Sequence, residues 1–298
     1  MPSIVFYKCG KWLGKTGSDS IMKSSCDSKN LKKPLRRNPK AKANSLIMRN
    51  LNKEEPTAAQ PVAPVETPSP HASIGDWVIL KNNQFIAFNK PAGIPVQADK
   101  TGDKPLLQLA EIYTKSKLFL VHRLDRPATG VVVFAKTKTM VGSLTDQFKE
   151  RSVRKTYLAV VKDLPKEREG MLRHFLQKNE KANRSGVTEN EAAGDLSEMS
   201  YRVLGSSENY HLLEVQLITG RHHQIRAQLA AIGCPIKGDV KYGARRGNRD
   251  RSINLHAWKL SFRHPVSGEN IALTAALPDD PVWRAFEEMG CLQNTENQ

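Results

Sequence analysis

The run Val131-Val132-Val133-Phe134-Ala135 is apolar at every position and rich in β-branched residues, which reads as a buried strand rather than a half-exposed one. It places the segment before it, His122-Arg123-Leu124-Asp125-Arg126-Pro127-Ala128-Thr129-Gly130, in a turn at a sheet end. Pro127 and Gly130 break any helix there. The turn carries one carboxylate, Asp125, among Arg123, Arg126 and His122. An acid held among cations at a strand mouth is either a structural ion pair or a carboxylate kept ionised for chemistry. The turn alone leaves both readings open.

The rest of the chain supplies a sheet for that strand. Trp77–Leu80 and Phe85–Phe88 read as short strands around an Asn82-Asn83 turn. They lead into Asn89-Lys90-Pro91-Ala92-Gly93-Ile94-Pro95-Val96, whose prolines and glycine force an irregular loop. Pro105 starts a helix with Leu106, Leu109/Ala110 and Tyr113 on one face. A second helix is expected over Thr139–Arg151, burying Met140/Val141, Leu144 and Phe148. Lys155–Val161 is another buried strand, with Tyr157 near its start. Residues 177–198 are polar and read as a surface hairpin or loop.

Tyr201–Leu204 and Leu213/Val215/Leu217 alternate with period two, as half-buried antiparallel strands do. Thr219–Leu229 is a turn followed by a helix that faces Ile225, Leu229 and Ile232 inward and ends at Gly233. His256, Trp258, Leu260 and Phe262 share a face of a late strand, and Ile271, Leu273 and Ala275 alternate in the last. At least seven strands and three or four helices follow no βαβ rhythm. The expected fold class is α+β, with a mixed, largely antiparallel sheet flanked by helices and loops.

The chain has 298 residues and a formal net charge of +16, unevenly placed. Residues 1–53 hold 13 Lys/Arg against Asp19 and Asp27, leaving only +5 for the remainder. Five prolines between residues 56 and 70 read as an extended linker. The organisation expected is a basic, Pro-rich disordered tail over 1–73, one domain over 74–289 and a C-terminal tail over 290–298. The tail lacks the pattern of a signal or transit peptide, which makes the cytoplasm the default, with an organelle left open by the tail's basic charge. No apolar run is long enough to span a membrane.

Several chemistries are set aside. Gly10-Lys11-Trp12-Leu13-Gly14-Lys15-Thr16 resembles a phosphate loop, but the motif needs four residues between its glycines and here there are three. The four cysteines, Cys9, Cys26, Cys234 and Cys291, form no CxxC pair, and the histidines show no HxxxH, so no metal is expected. No Ser or Cys nucleophile has an elbow, and no Gly-x-Gly-x-x-Gly marks a dinucleotide site. A retaining glycosidase needs a second carboxylate, and none is evident beside Asp125. In the body, Lys237, Lys241, Arg245, Arg246, Arg249 and Arg251 cluster against only Asp239 and Asp250, a run that is a solvated face or a phosphate track.

Four stretches together carry a resemblance. They are His122-Arg123-Leu124-Asp125 with Gly130, Lys155-x-Tyr157, Gly220-Arg221-x-His223-Gln224-Ile225-Arg226, and Pro235-Ile236-x-Gly238-Asp239 with Tyr242-Gly243. With the Asn89-Lys90-Pro91-Ala92-Gly93 loop they resemble the RluA-type pseudouridine synthases over roughly residues 77–285. The sequence departs at Ala128-Thr129, where many members have Thr-Ser, and it shows no separate S4-type RNA-binding domain.

The resemblance implies a pseudouridine-synthase-like fold with a catalytic cleft across the sheet. It implies isomerisation of uridine in structured ribosomal or transfer RNA, by a monomer needing no cofactor and no metal. Asp125 would then be the catalytic carboxylate, as nucleophile at C1′ or base at C2′. Arg226 would pair with it, since an adjacent cation favours a charged carboxylate. Tyr157 would stack on the flipped uracil and help remove the C5 proton, and Arg123 would enter the space the base vacates. RNA contacts are expected from Arg123, His122, Arg221, His223, Gln224, Lys237 and Lys241, with His122, His223 and Gln224 also supporting their turns. A non-catalytic RNA-binding protein on this fold would not need Asp125, Tyr157 and Arg226 together.

Overall fold

The computed structural model describes residues 73–293; the expectations for residues 1–72, including the Gly10–Thr16 segment, and for 294–298 lie outside them. Ser73 and Asp76 cap a short 3-10 turn reciprocally. The chain then enters strands β1 (Val78–Lys81) and β2 (Phe85–Lys90). Their turn is held by Asn82, whose Oδ1 accepts from the Gln84 and Phe85 N–H groups at 2.8 and 2.9 Å.

Helix α1 (Leu106–Thr114) begins after Pro105 and buries Leu106 and Ala110. Tyr113, expected on the same inward face, is instead exposed. The last turn of the helix reaches the edge strand β1, where Lys81 Nζ lies over the tyrosine ring at 4.9 Å. After β3 (Phe119–Leu120) and the turn carrying Asp125 comes β4 (Thr129–Ala135), buried at all seven positions. Helix α2 (Lys138–Lys149) is capped by Thr137, whose Oγ1 accepts from Met140 N, and buries Met140 and Leu144.

Strand β5 (Arg154–Val161) follows, and then β6 (Glu169–Asn179) and β7 (Arg184–Thr188) form the hairpin expected around residue 180. The hairpin starts earlier than its polar sequence indicates, because β6 pairs over Glu169–Leu176 with β8 (Asp195–Ser206). Strand β9 (His211–Leu217), helix α3 (Gln224–Ala231), strands β10 (Leu255–Arg263) and β11 (Asn270–Thr274), and helix α4 (Pro281–Glu288) complete the described chain.

All eleven strands of the described residues join one sheet, ordered β1-β2-β4-β10-β5-β9-β8-β6-β7, with β11 on β10 and β3 on β4. Every pairing is antiparallel except β4 with β10. That parallel contact, His256 opposite Thr129 and Ala257 opposite Gly130, lies directly behind the Asp125 turn. Gly130 is required there: its φ is +115°, and a Cβ would collide with the Ala257 backbone. Alternation along β4 divides the core. Val132 and Phe134 pack with α1 and α3 residues on one face, Val131, Val133 and Ala135 with α2 residues on the other. Helix α4 covers a further cluster around Trp258 and Trp283, which Cys291 joins.

Candidate active site

Three successive carbonyls fix the Asp125 turn. Asp125 O accepts from Ala128 N (3.1 Å), Arg126 O from Gly93 N (2.9 Å), and Pro127 O from Ile253 N (3.1 Å). Lys90, fully buried at the end of β2, donates from Nζ to the carbonyls of Pro91, Ile94 and Arg126 at 2.8 to 3.1 Å. It therefore ties the Asn89–Gly93 loop to the turn. Burial pushes the Lys90 pKa down to about 7, against the favourable charge of Asp125. The Arg126 side chain points the other way, to Asp99, Asp103 and Thr101. Leu124 and Ala128 are buried beneath the turn, leaving Asp125 with a side chain 20% exposed.

Helix α3 brings the counter-charge. Arg226, in its first turn, donates from Nη1 to Asp125 Oδ2 at 2.9 Å. Its other edge grips Asp239, Nε to Oδ2 at 2.6 Å and Nη2 to Oδ1 at 2.8 Å. The Arg226 and Asp239 side chains are both almost fully buried. Burial works against the cation, but the Asp239 hydrogen bonds and the Asp125 charge outweigh it and raise its pKa above the ordinary arginine value. The guanidinium groups of Arg226 and Arg184 each lie over the Tyr242 ring, 4.9 Å from its centre.

His223 precedes α3 in the left-handed region, φ 53°. Its Nε2 lies 3.6 Å from Asp125 Oδ2 and its Nδ1 2.9 Å from the Tyr242 hydroxyl. Burial pushes its pKa down to about 3, so the ring is neutral at physiological pH. His222 stacks on it at 3.8 Å and reaches Ser185 Oγ at 2.9 Å. Gln224 is internal: its Oε1 accepts from Thr219 Oγ1 and Arg221 N, and its Nε2 donates to Glu198 O.

These groups open onto a cleft of about 360 Å³ lined by Arg123, Asp125, Tyr157, Arg221, His223 and Arg226, among others. The side chain of Tyr157, half-buried on β5, makes no hydrogen bond with another described residue. Burial and the Asp125 charge raise its pKa, so the phenol keeps its proton. Arg123 is exposed at the rim with no ion pair among the described residues. A second hollow of about 410 Å³ shares Arg123, Asp125, His223 and Arg226 with the first and adds Lys241.

The structure thus gathers Asp125, Tyr157 and Arg226, with Arg123, Arg221 and His223 around them. His122 lines the cleft but is engaged in the scaffold. It accepts from Val133 N at 3.1 Å and stacks on Phe148, and burial lowers its pKa to about 4. Lys237 is not among the cleft's lining residues. Its Nζ is held by Asn248 and Asn254. Sequence reading gave no role to Lys90, Ser185, Asp239 or Tyr242. The lone Asp239 after a Pro-Ile-x-Gly turn was a signal for a buried carboxylate. Ser185 lies in a polar stretch without period and gave none.

The profile of the family described as RNA pseudouridylate synthase matches residues 84–231. The ribosomal large subunit pseudouridine synthase C of Rickettsia bellii is 36% identical over 211 residues, covering 68% of this chain and 69% of that one. The tRNA pseudouridine synthase C of Vibrio parahaemolyticus is 30% identical over 225 residues, covering 68% and 90%. Among solved structures, human RNA pseudouridylate synthase domain containing 4 superposes with a TM-score of 0.59 at 25% identity, covering 74% of this chain and 94% of that one. The fold and these relatives define an enzyme that isomerises uridine to pseudouridine. The chain belongs to the RluA-type family of pseudouridine synthases.

Proposed function

We propose that this enzyme acts on uridines of ribosomal or transfer RNA, with Asp125 as its reacting carboxylate and without a cofactor. The observation that carries the reading is the Asp125–Arg226–Asp239 chain at the cleft, with Tyr157 and the exposed Arg123, which has no ion pair among the described residues, lining it as well. One related protein is named for the ribosomal large subunit and one for tRNA, which supports those two substrate classes.

Both protein contacts to Asp125 converge on Oδ2, which leaves Oδ1 as the oxygen offered to substrate. That oxygen acts as a nucleophile at the ribose C1′ or as a base at C2′. The N1–C1′ bond breaks, the uracil turns, and a C5–C1′ bond forms. C5 loses a proton and N1 gains one, so substrate and product are isomers. No electron leaves and no water enters, so the balance needs no redox group. Asp239 supplies the buried countercharge that holds Arg226 in place. A uridine in a helix must leave the stack to reach Asp125, at a cost of a few kcal/mol. Arg123 fills the gap it leaves, and Tyr157 meets the flipped ring as a neutral phenol.

We further place the enzyme in the cytoplasm as a monomer that contacts RNA phosphates through Lys241, Arg221 and the exposed Arg245–Arg251 loop. Tritium release from [5-³H]uridine-labelled ribosomal and transfer RNA, assayed separately, tests the substrate class. Release from either supports the reading, and release from neither overturns it.

A further inference from the structure

Ser185, Tyr242, His223 and Asp125 come from four separated parts of the chain and meet in one line. Ser185 N–H donates to the Tyr242 hydroxyl oxygen at 2.9 Å. The Tyr242 oxygen lies 2.9 Å from His223 Nδ1, and His223 Nε2 lies 3.6 Å from Asp125 Oδ2. Tyr242 and Ser185 are buried, and the His223 side chain is 8% exposed. The direction of the line follows from counting protons. The Tyr242 oxygen already accepts from Ser185, and among the described residues its single hydrogen has one acceptor within reach, His223 Nδ1. A buried hydroxyl that donated nowhere would leave an unsatisfied group. The neutral imidazole therefore carries its proton on Nε2, facing the carboxylate.

We propose that His223 is a positioning residue for the reaction at Asp125. Its Nε2–H, oriented by Tyr242 and Ser185, holds Oδ2 together with Arg226 so that Oδ1 is the oxygen presented to the uridine. This rests on the assignment of Asp125 as the reacting group. At 3.6 Å the His223 contact is longer than a hydrogen bond. Such contacts tighten when substrate closes the site. Arg226 fixes the carboxylate from one side only, and a second donor on the same oxygen removes its remaining freedom to rotate about the Arg226 bond.

Two substitutions separate this role from a merely structural one. Glutamine places its amide N–H near the position of imidazole Nε2, whereas asparagine reaches only as far as Nδ1. The backbone preference runs the other way, because at φ 53° asparagine is favoured over glutamine. The measurement is the single-turnover rate of tritium release at saturating RNA, with RNA affinity and denaturation midpoint recorded for each variant. Expected are His223→Gln within a few-fold of the wild-type rate and His223→Asn slower by about tenfold or more, the value of one net hydrogen bond, at unchanged affinity. Tyr242→Phe, which keeps the ring against Arg226 but frees the tautomer, should slow the same step without weakening RNA binding. His223→Asn matching or exceeding His223→Gln would overturn the proposal, as would an unchanged rate for Tyr242→Phe. A wild-type enzyme that releases no tritium would instead bring down the assignment of Asp125 on which it rests.

Discussion

Arg226 Nη1 stands 2.9 Å from Asp125 Oδ2, although 101 residues separate them in the chain. The guanidinium is held on its other edge by buried Asp239, so one cation serves two carboxylates and is not free to follow Asp125. Replacing Asp239 with asparagine removes half of that clamp and leaves a buried arginine short of its countercharge. Breaking such a pair costs about 3–5 kcal/mol. Urea denaturation should show a loss of that size for Asp239→Asn. A midpoint equal to wild type would show that Arg226 is held by other means.

The Asp125 turn depends on Lys90, whose pKa burial lowers to about 7 from an ordinary 10.5. Between those values the unfolded lysine binds a proton that the folded one does not, so this group makes stability rise with pH over that window. Lys90→Met removes the titration. Denaturation midpoints measured from pH 6.5 to 9.5 should therefore climb more steeply with pH for wild type than for the variant. Parallel curves would refute the lowered pKa.

Arg123 is exposed and unpaired among the described residues, so Arg123→Ala should shift stability by no more than about 0.5 kcal/mol. If it fills the place of a flipped uridine, the single-turnover rate on structured RNA should fall far more than the rate on an unstructured oligonucleotide. Equal losses on both substrates would exclude the wedge role.

Arg245, Arg246, Arg249 and Arg251 are exposed and form no ion pair with another described residue. Replacing all four with alanine should leave the fold intact and reduce the slope of log affinity against log salt by roughly 3, at about 0.7–0.9 per phosphate contact. An unchanged slope would make this loop an ordinary solvated surface.

Much of this arrangement was legible in the residues. Val131–Ala135 is buried because it is apolar at every position, and Ile225 and Leu229 turn inward because they are four apart on α3. The departure at Ala128-Thr129 also has a physical account. Thr129 Oγ1 meets His256 Nδ1 at 2.8 Å in the buried layer behind the turn, and a serine would keep that bond. Less legible were features set by tertiary contact. Tyr113 fits the helix period yet lies exposed at the sheet edge, its ring against Lys81 of β1 and not in the core. Lys237 and Gln224 are polar residues in motif segments, and only packing decides that Lys237 holds a loop away from the cleft and that Gln224, at the cleft wall, spends its side-chain hydrogen bonds on the turn. Ser185 lies in a hairpin whose period is blurred by exposure on both faces.

The central claim is that Asp125 carries the reaction. Its most direct test is single-turnover tritium release by Asp125→Asn, an isosteric change that keeps the Arg226 contact geometry while removing the charge. The account predicts a fall of several orders of magnitude with RNA affinity retained. A variant that turns over at a rate comparable to wild type would contradict it.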